Sequence, residues 1–511
     1  MKSSQKPGKV YLIGTGPGDP DLITVRGLKL AHKCEVVLYD SLIPDEIIVT
    51  LPQTVERVFV GKRGGKPSMS QDEINELILK FAEEGKSVAR LKGADPLIFG
   101  RGAEEACFLH KHGIEFEIVP GITAGIAASA YAGVPCTERH LASTLIFVTG
   151  HKAQDKNSSS VDWKWLAEAH KSTIVIYMGV SQIGIITSRL IEHGMSPDTP
   201  AAVIERGTTS TQRVFESSLK DLTDTVDANN VTAPSLFVIG EVVKLREHLE
   251  WFKGKPLLGK RIMVTRPSHQ AVETYQQLRD LGAEVLPYPT ISITAVENDS
   301  GWDMFERLRG GEKWLVFTSE NGVEFFLQQF LERGHDIRWL GGFKVAAVGT
   351  GTSRALQRHH IKPDFVPGEA TVAAFAGEFA EALNLKDTSV VRVRGNLADQ
   401  TFEKTAEDAG ADVIPVEVYK TEYNIWPTGL KNKLLEYPPD AVMFTSGSTV
   451  EGLFENLNES EIEQLLGSAA LFSIGPSTTA KLSAHGLKIA RECGIHNIAE
   501  IVNSILDYFS E

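Results

Sequence analysis

The sequence predicts an α/β protein built largely of parallel strands and divided into two parts near residue 254. Three observations predict it. Short apolar runs alternate with helix-length stretches along the first half. A Gly-, Pro- and Lys-rich run over 252–260 then interrupts the alternation. Beyond it, the chain repeats its own landmarks at nearly constant spacing. Alternating strands and helices belong to sheets with parallel pairing and helices on their faces.

At 511 residues the chain is long enough for several cores, and 42% hydrophobic with 23% charged residues is ordinary for a globular protein. The net charge of −14 argues against a general nucleic-acid binder, which needs a basic surface, but leaves room for a local basic pocket. Cys34, Cys107, Cys136 and Cys493 form no C-x-x-C, so a zinc site, a redox dithiol and a disulfide framework lack support. Reduced thiols in a cytoplasmic protein are expected. The polar start, MKSSQKPGK, reads as a short disordered tail and not a secretory signal. No run approaches the roughly 18 apolar residues of a membrane helix; the nearest, 122–136, is built of Gly, Ala and Ser and stopped by Pro135.

In order, strands are expected at 10–13, 36–39 and 88–91, with helices at 22–32, 71–84 and 101–112. A second block follows, with strands at 144–149, 173–178, 201–205 and 235–240. The Ser-rich stretch 153–161 reads as an exposed loop between them. An amphipathic helix over 242–251 leads into the polar linker, and a new strand starts at 261. In the second half, VFTSENGV around Thr318-Ser319 returns as MFTSGSTV around Thr445-Ser446, 127 residues on. Gly349 and Gly475 are 126 apart, and Gly282 and Gly410 are 128 apart. Two similar α/β lobes follow. Thr-Ser after an apolar strand either caps the next helix or meets an anion at its N-terminus, since both use one geometry. Two facing lobes then suggest a cleft for a ligand bearing carboxylates or phosphates.

Two tempting motifs fail. Gly14-Thr-Gly16-Pro17-Gly18 lacks the third glycine of the dinucleotide fingerprint, because position 19 is Asp. Gly85-Lys86-Ser87 lacks the earlier glycine of a phosphate loop, because position 80 is Lys. More informative is the run from 57 to 71, with Arg57, Lys62, Arg63 and Lys66 and no acid, which reads as a substrate patch or a solvated basic loop.

In this order, GTGPGDPDLIT, YDSLI, GKRGG, RLKGADPLIFGRGAEE, VPGIT, YAGVPCTER, VTGH, YMG and PSLFVIGEVV make residues 9 to about 252 resemble the uroporphyrinogen-III C-methyltransferases of the tetrapyrrole methylase family. VFTSENGV, RVRGNLAD, VEVYKT, MFTSGSTV and FSIGPSTTAKL make residues 257–511 similar to uroporphyrinogen-III synthase. The resemblance implies a two-block methylase fold over 1–253 (blocks about 9–133 and 140–252) and a pair of flavodoxin-like lobes over 254–511. It also implies lobes joined by crossing strands, with 262–290 and 388–417 expected in one lobe and Tyr288 and Tyr419 near the crossing.

The implied chemistry is consecutive. The C-terminal half closes hydroxymethylbilane to uroporphyrinogen-III with inversion of ring D. The N-terminal half then moves two methyl groups from S-adenosylmethionine to ring positions 2 and 7, giving precorrin-2 and S-adenosylhomocysteine, on the branch toward sirohaem and cobalamin. By resemblance, Asp40 is the proton acceptor, Lys62 a proton donor or carboxylate holder, and Arg101 with Arg63 pairs with substrate carboxylates. Arg101 stays protonated and so is no base. Pro17, Gly93, Ala94, Asp95, Ile98, Thr123, Ala124, Met178 and Gly207 are the implied methyl-donor positions. Ala94 and Gly125 depart from the family's usual Gly and Ala. Tyr419 is the implied aid to hydroxyl departure, and Thr318, Ser319, Thr445, Ser446 and Thr478 are the implied partners of acetate and propionate arms. No metal, nucleic-acid or membrane partner is implied, and a homodimer through the methylase half is. The competing reading is a methylase of a later corrin intermediate carrying a non-catalytic tetrapyrrole-binding half.

Overall fold

Among the described residues, twenty strands form four sheets of five, each sheet with apolar side chains packed on both faces. The structure is a computed structural model, and it describes residues 6–52, 54–61, 69–150, 161–169, 171–296, 299–369, 371–495 and 497–511. The expected loop at 153–160 and the basic residues 62–66 lie outside those residues. No described helix is long and apolar enough to cross a membrane. Of the expected N-terminal tail, Gly8 donates to the Ala82 carbonyl at 2.8 Å and Lys9 pairs with Glu115 at 3.0 Å, so its end is already built in.

The first sheet holds β1 (Val10–Gly14), β2 (Val36–Tyr39), β3 (Glu56–Phe59), β4 (Val88–Lys92) and β5 (Phe116–Val119), in the order β3-β2-β4-β1-β5. All neighbours are parallel, with Val10 opposite Val88 and Gly14 opposite Lys92. Its central strands are buried on both faces, hence their continuous apolar runs. Parallel pairing puts the ends of β1, β2 and β4 on one rim.

The second sheet holds β6 (Thr144–Thr149), β7 (Ser172–Tyr177), β8 (Pro200–Glu205), β9 (Arg213–Ser218) and β10 (Ser235–Ile239), ordered β6-β7-β10-β8-β9. Only β6 and β7 run parallel here; β10 is antiparallel to β7 and β8, and β9 is antiparallel to β8. The short β8–β9 connection forces the reversal, since parallel neighbours need a long crossover. The expected helix at 242–251 splits into a 3₁₀ turn, Glu241–Leu245, and one α-turn, Arg246–Leu249, with the adjacent Val242 and Val243 both buried. The expected polar linker is packed: Leu257 is fully buried, and the Phe252 ring lies 5.1 Å from that of Tyr131.

The remaining strands are β11 (Arg261–Val264), β12 (Glu284–Pro287), β13 (Ile291–Ala295), β14 (Lys313–Phe317), β15 (Lys344–Ala347), β16 (Ser389–Gly395), β17 (Asp412–Tyr423), β18 (Ala441–Phe444), β19 (Ala470–Ser473) and β20 (Arg491–Glu492). The third sheet runs β12-β11-β18-β19-β20 and the fourth β13-β17-β16-β14-β15. The third has the flavodoxin-like order 2-1-3-4-5. The two repeats exchange halves: β11 pairs with β18, and β16 with β14. The expectation that 262–290 and 388–417 share a lobe is therefore corrected. Strands β11 and β12 join those after 440, and β16 joins the strands before it. Residues 291–423 form the fourth sheet as one continuous insertion into the third.

The chain crosses between lobes at 288–291 and 423–426, and both crossings are pinned. Asn424 donates its N–H to the Thr290 carbonyl at 3.0 Å and its amide Nδ2 to the Ile291 carbonyl at 3.0 Å. Thr290 is fully buried and donates to the Thr449 carbonyl at 2.8 Å. Helix Gly447–Phe454 packs so closely that a Cβ on Gly452 would stand 2.4 Å from the Thr290 carbonyl oxygen. Gly452→Ala is therefore expected to destabilise this lobe by about 1–3 kcal/mol, seen as a lower urea midpoint. Gly377→Ala, where the added methyl meets open space inside a helix, is the control and should leave the midpoint unchanged or slightly raised.

Two candidate active sites

At the rim of the first sheet, loops following β1, β4 and β5 press together. A Cβ on Gly14 would stand 2.6 Å from both the Ala94 carbonyl oxygen and the Gly121 nitrogen. Gly16 and Ala94 exchange backbone hydrogen bonds at 3.3 and 2.9 Å. Asp95 holds the loops from within: Oδ1 accepts from the Leu97 and Ile98 N–H groups at 2.8 and 3.2 Å, and Oδ2 from Gly121 at 3.0 Å. Its carboxylate thus serves the turn's own backbone. Ala94 sits at φ 60°, the left-handed region that favours the family's usual glycine. Phe99, Arg101, Met178, Arg206 and Thr208 also have positive φ, so strained backbone gathers around this groove.

The second sheet supplies the facing wall. Tyr177 OH accepts the Gly125 N–H at 2.7 Å and shares a 2.8 Å hydrogen bond with Thr123 Oγ1. A Cβ on Gly125 would stand 2.4 Å from that hydroxyl, which accounts for glycine where the family has Ala. Thr208 donates to the Pro17 carbonyl, and Gly207 packs where a Cβ would stand 2.3 Å from that of Ala128. Pro17, Gly93, Ala94, Asp95, Ile98, Thr123, Ala124, Met178 and Gly207 thus come from loops and helix starts that abut across the two sheets. Ile98, Phe99, Ile122 and Met178 leave apolar surface exposed there, Met178 about half its area at 51%.

Asp40 follows β2 on the same rim. Its Oδ2 takes Arg90 Nη2 at 3.0 Å and its Oδ1 the Leu42 N–H at 3.0 Å. Behind it lies a buried charge network. Glu105 Oε1 is 2.8 Å from Lys92 Nζ and 3.5 Å from Arg90 Nε, and also accepts from Gln71 at 3.1 Å. Burial lowers the Lys92 pKa, and Glu105 opposes that shift. Sequence reading missed Arg90, Lys92 and Glu105. The available signal was two basic residues at i, i+2 on one face of a buried strand. Arg101 stands apart from Asp40: it is 55% exposed and pairs with Glu104 at 2.7 Å. Arg57 leaves the expected basic patch, because its guanidinium donates to the carbonyls of Ile48, Leu51 and Val55. Lys62 and Arg63 lie outside the described residues.

The second site is a cleft of about 1780 Å³ between the third and fourth sheets. Thr318, Ser319, Thr445, Ser446 and Tyr419 line it, as does Ser477; Thr478 itself is buried at 1% exposure. Among the described residues, seven helices of eight or more residues start at its wall: Ser268–Asp280, Glu320–Glu332, Thr350–Arg358, Val372–Ala382, Gly447–Phe454, Pro476–Ala484 and Ile498–Ser510. Their N-termini favour negative charge. Ser319 and Ser446 cap two of them, accepting from Gly322 at 2.9 Å and Thr449 at 3.3 Å. The cations on the wall, missed in the sequence, include Arg266 and Arg354, which have no acidic partner within 4.0 Å among the described residues. Tyr419 sits where the β16–β17 register shifts, and Gly395 makes room for its ring, since a Cβ there would stand 2.4 Å away. Its hydroxyl is 3.1 Å from Ser319 Oγ, and burial raises its pKa, so it is protonated at neutral pH.

The profile for tetrapyrrole (corrin/porphyrin) methylases matches residues 9–223, and that for uroporphyrinogen-III synthase HemD matches 272–503. "Porphyrin biosynthesis protein HemD" of Ruminiclostridium josui is 35% identical over 460 residues, covering 90% of each chain. "Siroheme synthase" of Pseudomonas fluorescens is 49% identical over 248 residues, and this chain spans about half that relative's length, 53%. Uroporphyrin-III C-methyltransferase from Thermus thermophilus, solved with S-adenosyl homocysteine, is 35% identical, covering 47% of this chain and 94% of its own at a TM-score of 0.40. A mutant uroporphyrinogen III synthase from Thermus thermophilus is 19% identical, covering 49% and 99% at 0.40. Fold and matched profiles define the class: two α/β enzymes in one chain. It belongs to the family in which a tetrapyrrole methylase is fused to a uroporphyrinogen-III synthase.

Glu205, which ends β8 beside the groove, gives a pH test. Burial opposes its ionisation, but hydrogen bonds from Arg213 and from the Thr232 hydroxyl and N–H outweigh it and bring the pKa down to about 2 from 4.5. A depressed carboxyl stabilises the fold fully above its unfolded pKa and loses that contribution as pH falls through the folded one. Acid titration from pH 5 to 2 should therefore cost on the order of 3 kcal/mol through this residue. Glu205→Gln should be less stable at pH 7 and show a shallower acid limb in pH-dependent denaturation.

Proposed function

We propose that the chain makes precorrin-2 from hydroxymethylbilane. Residues 254–511 close the bilane to uroporphyrinogen-III with inversion of ring D. Residues 1–253 then methylate it at ring positions 2 and 7. The observation that carries this reading is the pairing in one chain of an anion-attracting cleft with an apolar, glycine-tight groove that ends at Asp40.

In the cleft, seven helix N-termini with Arg266 and Arg354 receive the substrate's carboxylate arms and fold the bilane for closure. Tyr419, protonated and oriented by Ser319, donates to the departing hydroxyl. In the groove, the exposed apolar side chains of Ile98, Phe99, Ile122 and Met178 fit the adenine and methionine portions of S-adenosylmethionine. When bound there, that cofactor supplies an electrophilic methyl group. Asp40, held by Arg90 and the Leu42 N–H, takes the proton that the macrocycle loses on rearranging. Arg101, Arg63 and Lys62 bind substrate carboxylates, supplying positive charge in a chain of net charge −14. The chain works as a homodimer through its methylase half, a reading supported by resemblance.

An anaerobic assay with hydroxymethylbilane and S-adenosylmethionine tests both activities. The expected product is two methyl groups heavier than uroporphyrinogen and forms without added synthase. Type I isomer alone would refute the synthase assignment, and unmethylated type III would refute the methylase. Asp40→Asn should slow methylation about 100-fold and leave cyclisation intact, whereas Tyr419→Phe should slow cyclisation at least about tenfold and leave methylation of supplied uroporphyrinogen-III unchanged.

A further inference from the structure

A charged contact joins the two halves beside the methylase groove. Arg279 ends helix Ser268–Asp280, whose first turn lines the synthase cleft. Its Nη1 grips both carboxylate oxygens of Glu46, and its Nη2 donates to Asp21 Oδ1 at 2.9 Å. Nearby, Lys433 pairs with Asp45. Both acidic partners of Arg279 belong to segments that carry the groove. Glu46 lies in helix Asp45–Val49, shortly after Asp40. Asp21 donates its N–H to Asp19 Oδ1 at 2.9 Å, and Asp19 Oδ2 accepts from Tyr131 OH at 2.7 Å. The Asp19 N–H donates to Thr208 Oγ1 at 3.0 Å, and that hydroxyl donates to the Pro17 carbonyl. One guanidinium from the synthase half thus ends a hydrogen-bonded chain that clamps the turn after β1 onto the second sheet.

The contact differs from an ordinary surface ion pair, which contributes little. The Arg279 and Glu46 side chains are each only 14% exposed. A guanidinium shared by two carboxylates fixes geometry, and removing it leaves a largely desolvated Glu46 without its cation.

We propose that Arg279 is a positioning residue for methyl transfer: from the synthase half it holds the turn at 19–22 and the helix at 45–49 in the arrangement that accepts the methyl donor. Donor affinity then depends on the docked synthase lobe. The proposal rests on the reading that the donor lies between the first two sheets.

The test is calorimetric titration of the full chain with S-adenosylhomocysteine, with cyclisation of hydroxymethylbilane as the measure of an intact fold. Arg279→Ala should weaken binding about five- to tenfold while cyclisation stays within about twofold, and Arg279→Lys should recover part of the loss. The double variant Asp21→Asn/Arg279→Ala should bind no more weakly than Arg279→Ala alone, because the two residues act through one contact. Binding by Arg279→Ala within about twofold of the unaltered chain, or additive losses in the double variant, would overturn the proposal. Should Arg279→Ala fail to fold, Asp21→Asn decides: about threefold weaker binding supports the proposal and unchanged binding overturns it. An unaltered chain that binds no S-adenosylhomocysteine would instead remove the donor-site reading, and the proposal with it.

Discussion

Parallel pairing of β4 with β1 and β2 brings three strand ends to one rim, and the methylase groove is hung from that rim. The glycines there follow from the crowding. Gly14, Gly121 and the Ala94 carbonyl meet at distances no Cβ would permit. Asp95 then acts as a staple between loops, and Asp40 is held on the same rim by Arg90 and the Leu42 N–H. The same logic governs the second cleft, where parallel strands in two facing sheets deliver seven helix N-termini to one volume. The second cleft draws positive potential from helix ends and from Arg266 and Arg354, in a chain whose net charge is negative.

Much of this was legible in the sequence. The strand–helix alternation, the break near 254 and the Thr-Ser repeat each mark local patterns, and the structure contains strands where the apolar runs stand. Ser319 and Ser446 were legible because helix caps carry short, positional signals, whereas Tyr419, inside β17, was marked by the motif resemblance alone. What escaped depends on distant partners. Strand β9, Arg-Val-Phe-Glu-Ser-Ser, is a half-buried edge with little apolar pattern of its own. The exchange of halves between repeats leaves each repeat's pattern unchanged, so only pairing reveals it. Arg90 and Lys92 read as polar, yet lie buried because Glu105 arrives from a helix to meet them.

The packed connection between the halves changes how they are understood. Leu257 lies in the core beneath the third sheet, and Phe252 packs against Tyr131 of the methylase half. The joint at 252–260 is therefore a structural element with buried side chains on both sides. Two activities held this way share a boundary, and not merely a tether.

The exchanged sheets also bear on how the protein is made. As the chain leaves the ribosome, β11 and β12 emerge long before β18, the strand that completes their sheet. The inserted lobe, 291–423, is whole once β17 has appeared, so it can fold while its host waits as an unpaired two-strand edge. Growth from the N-terminus thus reverses the order of the lobes: the inner one closes first, and the outer one closes around it only after β18 to β20 have followed.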